Sequence, residues 1–324
     1  MRFSGAVFAV VIATFMIPIG ILPRAHSQTT ATEAVPRLFA PGVVSTEDFE
    51  FDASFTPDGK TVFFSKGDPS YNRITVVESH LKGNRWTEPE VASFSGIWKD
   101  TDAHVTPDGH KVFFISNRPT DGSQTPRKDY DIWYVEAQPD RTWGTPQHLG
   151  GPINTDGNEA YPSMTTDGTL YFEASRPDQP GTHIYRSRLI NGSYGEPEPV
   201  SFSGKANDIN PAVATDGSFM IFASRDRGGQ GSSDLFITFS KPDGTWSEPV
   251  NLGTPINSRF ADTAPGLSPD NRKLYFASSR IDEPLVRTTP ATYKQLEHEL
   301  HEIQNGLLNI YEVDLGDVQR FAKP

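Results

Sequence analysis

Large apolar residues recur along the chain as short triplets, each reached through a polar turn. Val62-Phe63-Phe64, Val112-Phe113-Phe114, Leu170-Tyr171-Phe172, Met220-Ile221-Phe222 and Leu274-Tyr275-Phe276 follow Pro57-Asp58-Gly59, Pro107-Asp108-Gly109, Thr166-Asp167-Gly168, Thr215-Asp216-Gly217 and Pro269-Asp270-Asn271. Runs this short and this rich in aromatic residues predict buried strands. The Gly or Asn that closes each turn supplies the positive φ of a tight reversal. A short stretch of small or β-compatible residues precedes each turn (53–56, 103–106, 162–165, 211–214 and 265–268), so each copy predicts a two-stranded hairpin. The turn aspartates are 50, 59, 49 and 54 residues apart, a period that signals stacked units rather than one mixed core.

Each unit carries signals for two further strands. The third spans 74–78, 131–136, 183–187, 234–239 and 309–314. The fourth is expected where an aromatic residue precedes proline by three: Trp86 and Pro89, Trp143 and Pro146, Tyr194 and Pro197, Trp246 and Pro249. Proline has no ladder donor and belongs on a sheet edge, which places this strand on the outer rim. Four strands per unit of about 50 residues predicts an all-β, five-bladed β-propeller of four-stranded antiparallel blades. A six-bladed ring would need a further unit that the pattern does not show. After Leu315 too little chain remains for a fourth strand in the last unit. Residues 38–44 match the outer-strand spacing, with Leu38 in the aromatic place, and are expected to complete the last blade. The propeller is thus expected over 38–315, with a tail at 316–324. An insertion at about 281–306 breaks the repeat, and Thr289-Pro290 followed by 291–304 predicts an N-capped helix ending at Asn305-Gly306.

The polar positions repeat as well. Each unit opens its first strand with a carboxylate (Glu50, Asp100, Glu159, Asp208, Asp262) and ends its second with a cation (Lys66, Arg118, Arg176, Arg225, Arg280). Antiparallel pairing brings both sets to one end of the channel. They form either a charged rim that recognises a ligand or one ion pair per blade that fixes the blades in register. Fivefold repetition favours the second, because architecture must repeat and function seldom does. Two residues after each carboxylate stand Asp52, Asp102, Tyr161, Asn210 and Ala264, which vary from unit to unit. Asp52, Asp102, Tyr161 and Asn210, with His104 nearby, are therefore the candidate ligand-binding residues at the channel mouth. The oxygens of Asp52, Asp102 and Asn210, with His104, could hold a calcium ion. The same residues also read as solvated channel acids.

Composition adds a compartment. A basic start at Arg2, an apolar run over 6–22 and Ala25-His26-Ser27 predict a signal peptide over 1–27, then a linker over 28–37. The run is interrupted by Pro18 and Gly20, so no stable membrane span is expected once it is cleaved. The expected location is periplasmic or secreted, and with no cysteine the fold rests on its core without disulfides. Cleavage would remove Arg2 and Arg24 from 29 basic residues against 41 acidic ones, taking the net charge from -12 to about -14. That balance argues against a nucleic-acid partner.

Catalytic signatures are weak. His298 and His301 are three residues apart, where a zinc-protease helix needs four. Gly228-Gly229-Gln230-Gly231 lacks the phosphate-loop lysine, and no Gly-x-Ser-x-Gly elbow occurs. Two channel carboxylates could serve glycoside hydrolysis, which would require that their environments differ.

The segment 154–162, Asn-Thr-Asp-Gly-Asn-Glu-Ala-Tyr-Pro, followed by Thr166-Asp167-Gly168, Tyr171-Phe172 and Ser175-Arg176, resembles the TolB-type, WD-like β-propeller repeat of bacterial exported proteins. Ser224 to Gly231 with Asp234-Leu235-Phe236 adds to it. The resemblance covers about 38–315. It implies a periplasmic or cell-surface module that binds a protein, peptide or cell-envelope glycan, and it supplies no catalytic residues. The α/β domain that precedes the propeller in TolB itself is not recognised here, which leaves a Tol-system role unsupported. The expected function is a noncatalytic binding module, with a carbohydrate-active hydrolase as the alternative.

Overall fold

The repeated hairpins do form blades. In the computed structural model the described residues are Met1, 35–140, 142–176, 179–203, 207–281 and 287–322. The signal-peptide expectation lies outside them. Residues Ala34–Pro324 form one unit. It is a five-bladed β-propeller of four-stranded antiparallel sheets.

Blade 1 comprises Phe49–Phe55, Thr61–Gly67, Ile74–Lys82 and the outer Glu90–Val91. Blade 2 follows with Asp100–Val105, Lys111–Ser116, Asp131–Glu136 and Gln147–His148. Blade 3 has Glu159–Met164, Leu170–Arg176, Gln179–Ser187 and Glu198–Pro199. Blade 4 has Asp208–Val213, Phe219–Ser224, Asp234–Phe239 and Val250–Asn251. Blade 5 takes Asp262–Leu267, Lys273–Ser278 and Asn309–Asp314 from the end of the chain and Arg37–Leu38 from its start. The aromatic triplets supply the core: Phe64, Phe114, Phe172, Phe222 and Phe276 occupy one repeat position and are all buried.

The outer strands differ from expectation. Trp86 and Tyr194 pair back onto Leu81 and Leu189 in small hairpins, and Trp143 and Trp246 bridge to Ala137 and Ser240. The outer strand begins only after the proline, because a residue without an N–H ends that hairpin and lets the chain turn. The aromatic rings are spent on packing across blades instead, as with Trp143 on Phe63 and Trp246 on Tyr171, each with ring centroids 5.9 Å apart.

The closing segment shifts in step. Arg37 and Leu38 pair with Glu312 and Tyr311, and the Phe39 N–H donates to the Ile310 carbonyl. Ala92, Leu149, Val200 and Leu252 make the equivalent bond in the other blades. Leu38 therefore matches Val91, not Trp86, and the paired closing strand is two residues long rather than spanning 38–44. Phe39 secures it, packing edge-on against Phe55, Trp86 and Tyr275 at 5.8, 5.5 and 5.0 Å. The inserted helix runs over Tyr293–Leu300, shorter than expected. Its cap is Thr292, whose hydroxyl accepts the Gln295 N–H while the Gln295 side chain returns to the Thr292 N–H.

Candidate functional site

The ring carboxylates are fully buried and paired. Glu50 meets Lys66 at 2.7 Å, Asp100 meets Arg118 at 2.7 Å, Glu159 meets Arg176 at 3.4 Å and Asp262 meets Arg280 at 2.7 Å. In blade 4 the partner of Asp208 is Arg227 and not Arg225. Arg227 Nε and Nη2 clasp both carboxylate oxygens at 2.8 and 2.7 Å. The cause is one extra residue after the strand. Asp100 and Asp262 lie opposite Ser116 and Ser278, with their arginines two positions on, whereas Asp208 lies opposite Ser224 with its arginine three on. Each ring arginine also donates to a carbonyl of the connector entering its blade: Phe94, Ile153, Phe202 and Ile256, at 3.0, 3.0, 2.7 and 2.7 Å. A guanidinium with this many fixed bonds acts as a bracket between chain segments.

Inside that ring, every first strand breaks register at the position that varies between units. Asp52, Asp102, Tyr161, Asn210 and Ala264 have φ of 63, 54, 48, 54 and 47°. Each sits in a bulge of its strand pairing. A left-handed residue in a bulge frees its amide from the ladder and re-aims its side chain. Neighbouring blades then satisfy those amides. Asp102 accepts the Tyr161 N–H at 3.3 Å and the Thr101 hydroxyl at 3.0 Å. Asn210 Oδ1 accepts the Ala264 N–H at 3.2 Å and the Thr263 hydroxyl at 2.6 Å. Tyr161 cannot accept in this way, and Glu173 of the second strand takes over, receiving the Asn210 N–H at 2.5 Å and its side-chain amide at 3.2 Å. Asp52 accepts the Ala103 N–H, while its Oδ2 is buried without a hydrogen-bond partner.

Burial is the dominant electrostatic influence on this layer. It pushes Asp102 up to about 8, helped by the charge of Glu173, and Glu173 up to about 7. Asp52 is raised by burial and then by Asp102. Burial lowers His104 to about 4, so the ring is neutral, and its Nε2 accepts the Met164 N–H at 3.1 Å. The ring acids have cations, and among the described residues none is bonded to this inner set of Asp52, Asp102 and Glu173. The asymmetry gathers the unpaired acids on blades 1 to 3.

Two cavities flank this layer. One, of about 840 Å³, lies at the turn end and is lined by Asp52, His104 and Tyr161 among others. The other, of about 710 Å³, lies on the ion-pair side and is lined by Asp102, Tyr161, Glu173, Asn210, Tyr71, Tyr130 and Arg225. Tyr161 lines both and divides the channel. The candidate residues Asp52, Asp102, His104, Tyr161 and Asn210 thus come together at the waist of the channel, beneath the mouth. The mouth itself adds Tyr71, Tyr130, Glu173 and Arg225, which the sequence reading did not select as ligand-binding. Glu173 had a visible signal, being the lone charged residue where the other units place Ser65, Ile115, Ala223 and Ala277. Tyr71 lies in a connection outside the repeat and had none. Among the described residues, no group of three or more His, Asp or Glu is placed to hold a metal ion. None of the described helices is long and apolar enough to cross a membrane.

No family model matches the chain, and no curated protein matches it. Among solved structures it is similar to TolB from Acinetobacter baumannii, at 15% identity and TM-score 0.46, covering 82% of this chain and 55% of that one. It is similar to an α-L-arabinofuranosidase from Lactobacillus brevis at 13% and 0.47, covering 83% and 91%. It is also similar to the Hadza microbial sialidase Hz136 at 16% and 0.47, covering 71% and 53%. The chain therefore spans about half the length of the TolB and sialidase chains. The functional reading rests on this chain's own residues.

Proposed function

We propose that the chain is an exported, periplasmic or secreted, noncatalytic binding module that takes a protein, peptide or cell-envelope ligand at the ion-pair mouth of its channel. One observation carries this reading. The mouth is lined by tyrosine rings and by a guanidinium, that of Arg225, with no hydrogen bond or ion pair among the described residues, whereas Asp102 and Glu173 are used as acceptors for backbone amides of the next blade. Aromatic walls with a few convergent polar groups suit recognition. Hydrolysis by inner-strand carboxylates needs two acids that reach the substrate. Both oxygens of Asp102 are bonded and Oδ2 of Asp52 is buried, so among the described inner-strand acids Glu173 is the one with an oxygen free to meet a ligand.

Equilibrium dialysis against a peptide library and against soluble peptidoglycan fragments, read by mass spectrometry, tests the proposal. Retention of particular components by the native chain, lost on Tyr71→Ala with Tyr130→Ala, is the expected result. Equal retention by the double variant would place binding elsewhere.

A further inference from the structure

We infer that Arg225 and Glu173 form a carboxylate-recognition site at the ion-pair mouth, which takes the free C-terminus of a peptide whose last side chain is apolar. The inference rests on the binding reading above and names its ligand.

Blade 4 carries two arginines where blades 2, 3 and 5 carry one. The extra residue in its second connection hands the architectural ion pair to Arg227 and leaves Arg225 in the place of Asn117, Ser175 and Ser279. Arg225 is exposed, and its side chain forms no hydrogen bond or ion pair among the described residues. It lines the mouth, and its charge acts on Tyr71 of blade 1 and on Glu173 of blade 3. A guanidinium on blade 4 that is felt on blades 1 and 3 projects over the channel. Its planar fork matches the two oxygens of a carboxylate, and such a bond is charge-assisted.

Glu173 completes the pair. Its Oε2 is held by Asn210, and Oε1 has no hydrogen-bond partner among the described residues. Burial keeps this carboxyl protonated up to about 7, so it donates to an incoming carboxylate instead of repelling it. The other titratable groups facing it do not oppose this. Asp102 and Asp52 are raised by burial, and Tyr71, Tyr130 and Tyr161 are raised and neutral. The remaining wall decides the ligand body. Phe49, Ile115, Ile209, Leu307 and Leu308 line the same cavity and offer an apolar seat beside the arginine. A terminal α-carboxylate carries its side chain on the adjoining Cα, so the two groups reach the same cavity together. Capture of a chain end in this manner is a recurring recognition mode.

The test uses acetylated Gly-Gly-Xaa tripeptides with all twenty last residues, as free acids and as C-terminal amides, titrated calorimetrically. Glucuronate serves as the acidic-sugar probe. Free acids ending in Leu, Ile, Phe or Met are expected to bind at least ~10-fold more tightly than their amides, as a charge-assisted bond would give. Arg225→Gln should abolish that difference, Arg225→Lys should keep part of it, and melting should show both variants folded. Native affinity should fall as pH rises from about 6 to about 8.5, and Glu173→Gln should flatten the profile. Equal affinity for acids and amides, or an Arg225→Gln protein that still discriminates, overturns the inference. If such equal binding is lost on Tyr71→Ala, the binding module stands and only its ligand class falls. Binding of glucuronate without the peptides also overturns the inference, as does a folded native chain that binds neither series.

Discussion

The two arginines of blade 4 show how one inserted residue separates structure from function. Arg227 clasps an Asp208 side chain that is 0% exposed, and breaking such a pair costs about 3–5 kcal/mol. Arg227→Gln should therefore lower the free energy of unfolding by that amount, while Arg225→Gln should change it by less than about 0.5 kcal/mol. Equal losses in urea titrations would contradict the assignment. The buried acids give a second prediction. A carboxyl raised from 3.8 to about 8, as Asp102 is, keeps its proton in the folded chain at pH values where the unfolded chain has released it. The folded state then binds more protons between those values, so stability falls as pH rises through that window. Glu173, at about 7, and Asp52 act in the same direction. Thermal melting should show a higher midpoint near the acid end of the window, and Asp102→Asn should reduce the slope. A native midpoint that climbs with pH would refute the inner-layer account. At this scale the sequence showed that Asp52, Asp102, Tyr161 and Asn210 differ between units. It did not show the left-handed backbone at those positions, because that conformation follows from inter-blade amide bonding and not from local preference.

Strands were legible wherever the apolar triplets set the pattern, and less so where pairing is only two residues long. The aromatic residue before each proline carries the stronger signal, yet Glu90–Val91, Gln147–His148 and Val250–Asn251 make the outer strand. Two-residue strands have no hydrophobic period to read. The same brevity governs closure, which depends on Phe39 more than on the ladder. Phe39 is 5% exposed and touches three aromatic rings from blades 1 and 5, so Phe39→Ala should cost about 3–5 kcal/mol. A loss below about 1 kcal/mol in guanidinium titrations would mean that the ring is held otherwise. The register has its own check, since the chain contains no cysteine. Arg37→Cys with Glu312→Cys places two thiols on directly paired residues and should oxidise to a disulfide that raises the unfolding midpoint. Cross-linking of Val43→Cys with Ile310→Cys instead would favour the longer closing strand.

Across the whole molecule, a fivefold frame carries a lopsided interior. The outer ring of ion pairs repeats around the axis, while among the described residues the inner acids without a bonded cation gather on blades 1 to 3 and the cation at the mouth without a bonded partner comes from blade 4. The frame was readable because repetition multiplies weak signals five times. The interior was not, since each departure occurs once and takes its meaning from neighbours on other blades. Whether that interior binds or transforms its ligand is decided most directly by the isosteric double variant Asp52→Asn with Asp102→Asn, which keeps a carbonyl acceptor at each position but removes both titratable carboxyl groups. Ligand retention and product formation should be followed together on peptide and glycan panels. Retention equal to that of the native chain, with no product from either protein, is the predicted result. Product formed by the native chain and lost in the variant while retention persists would contradict the account.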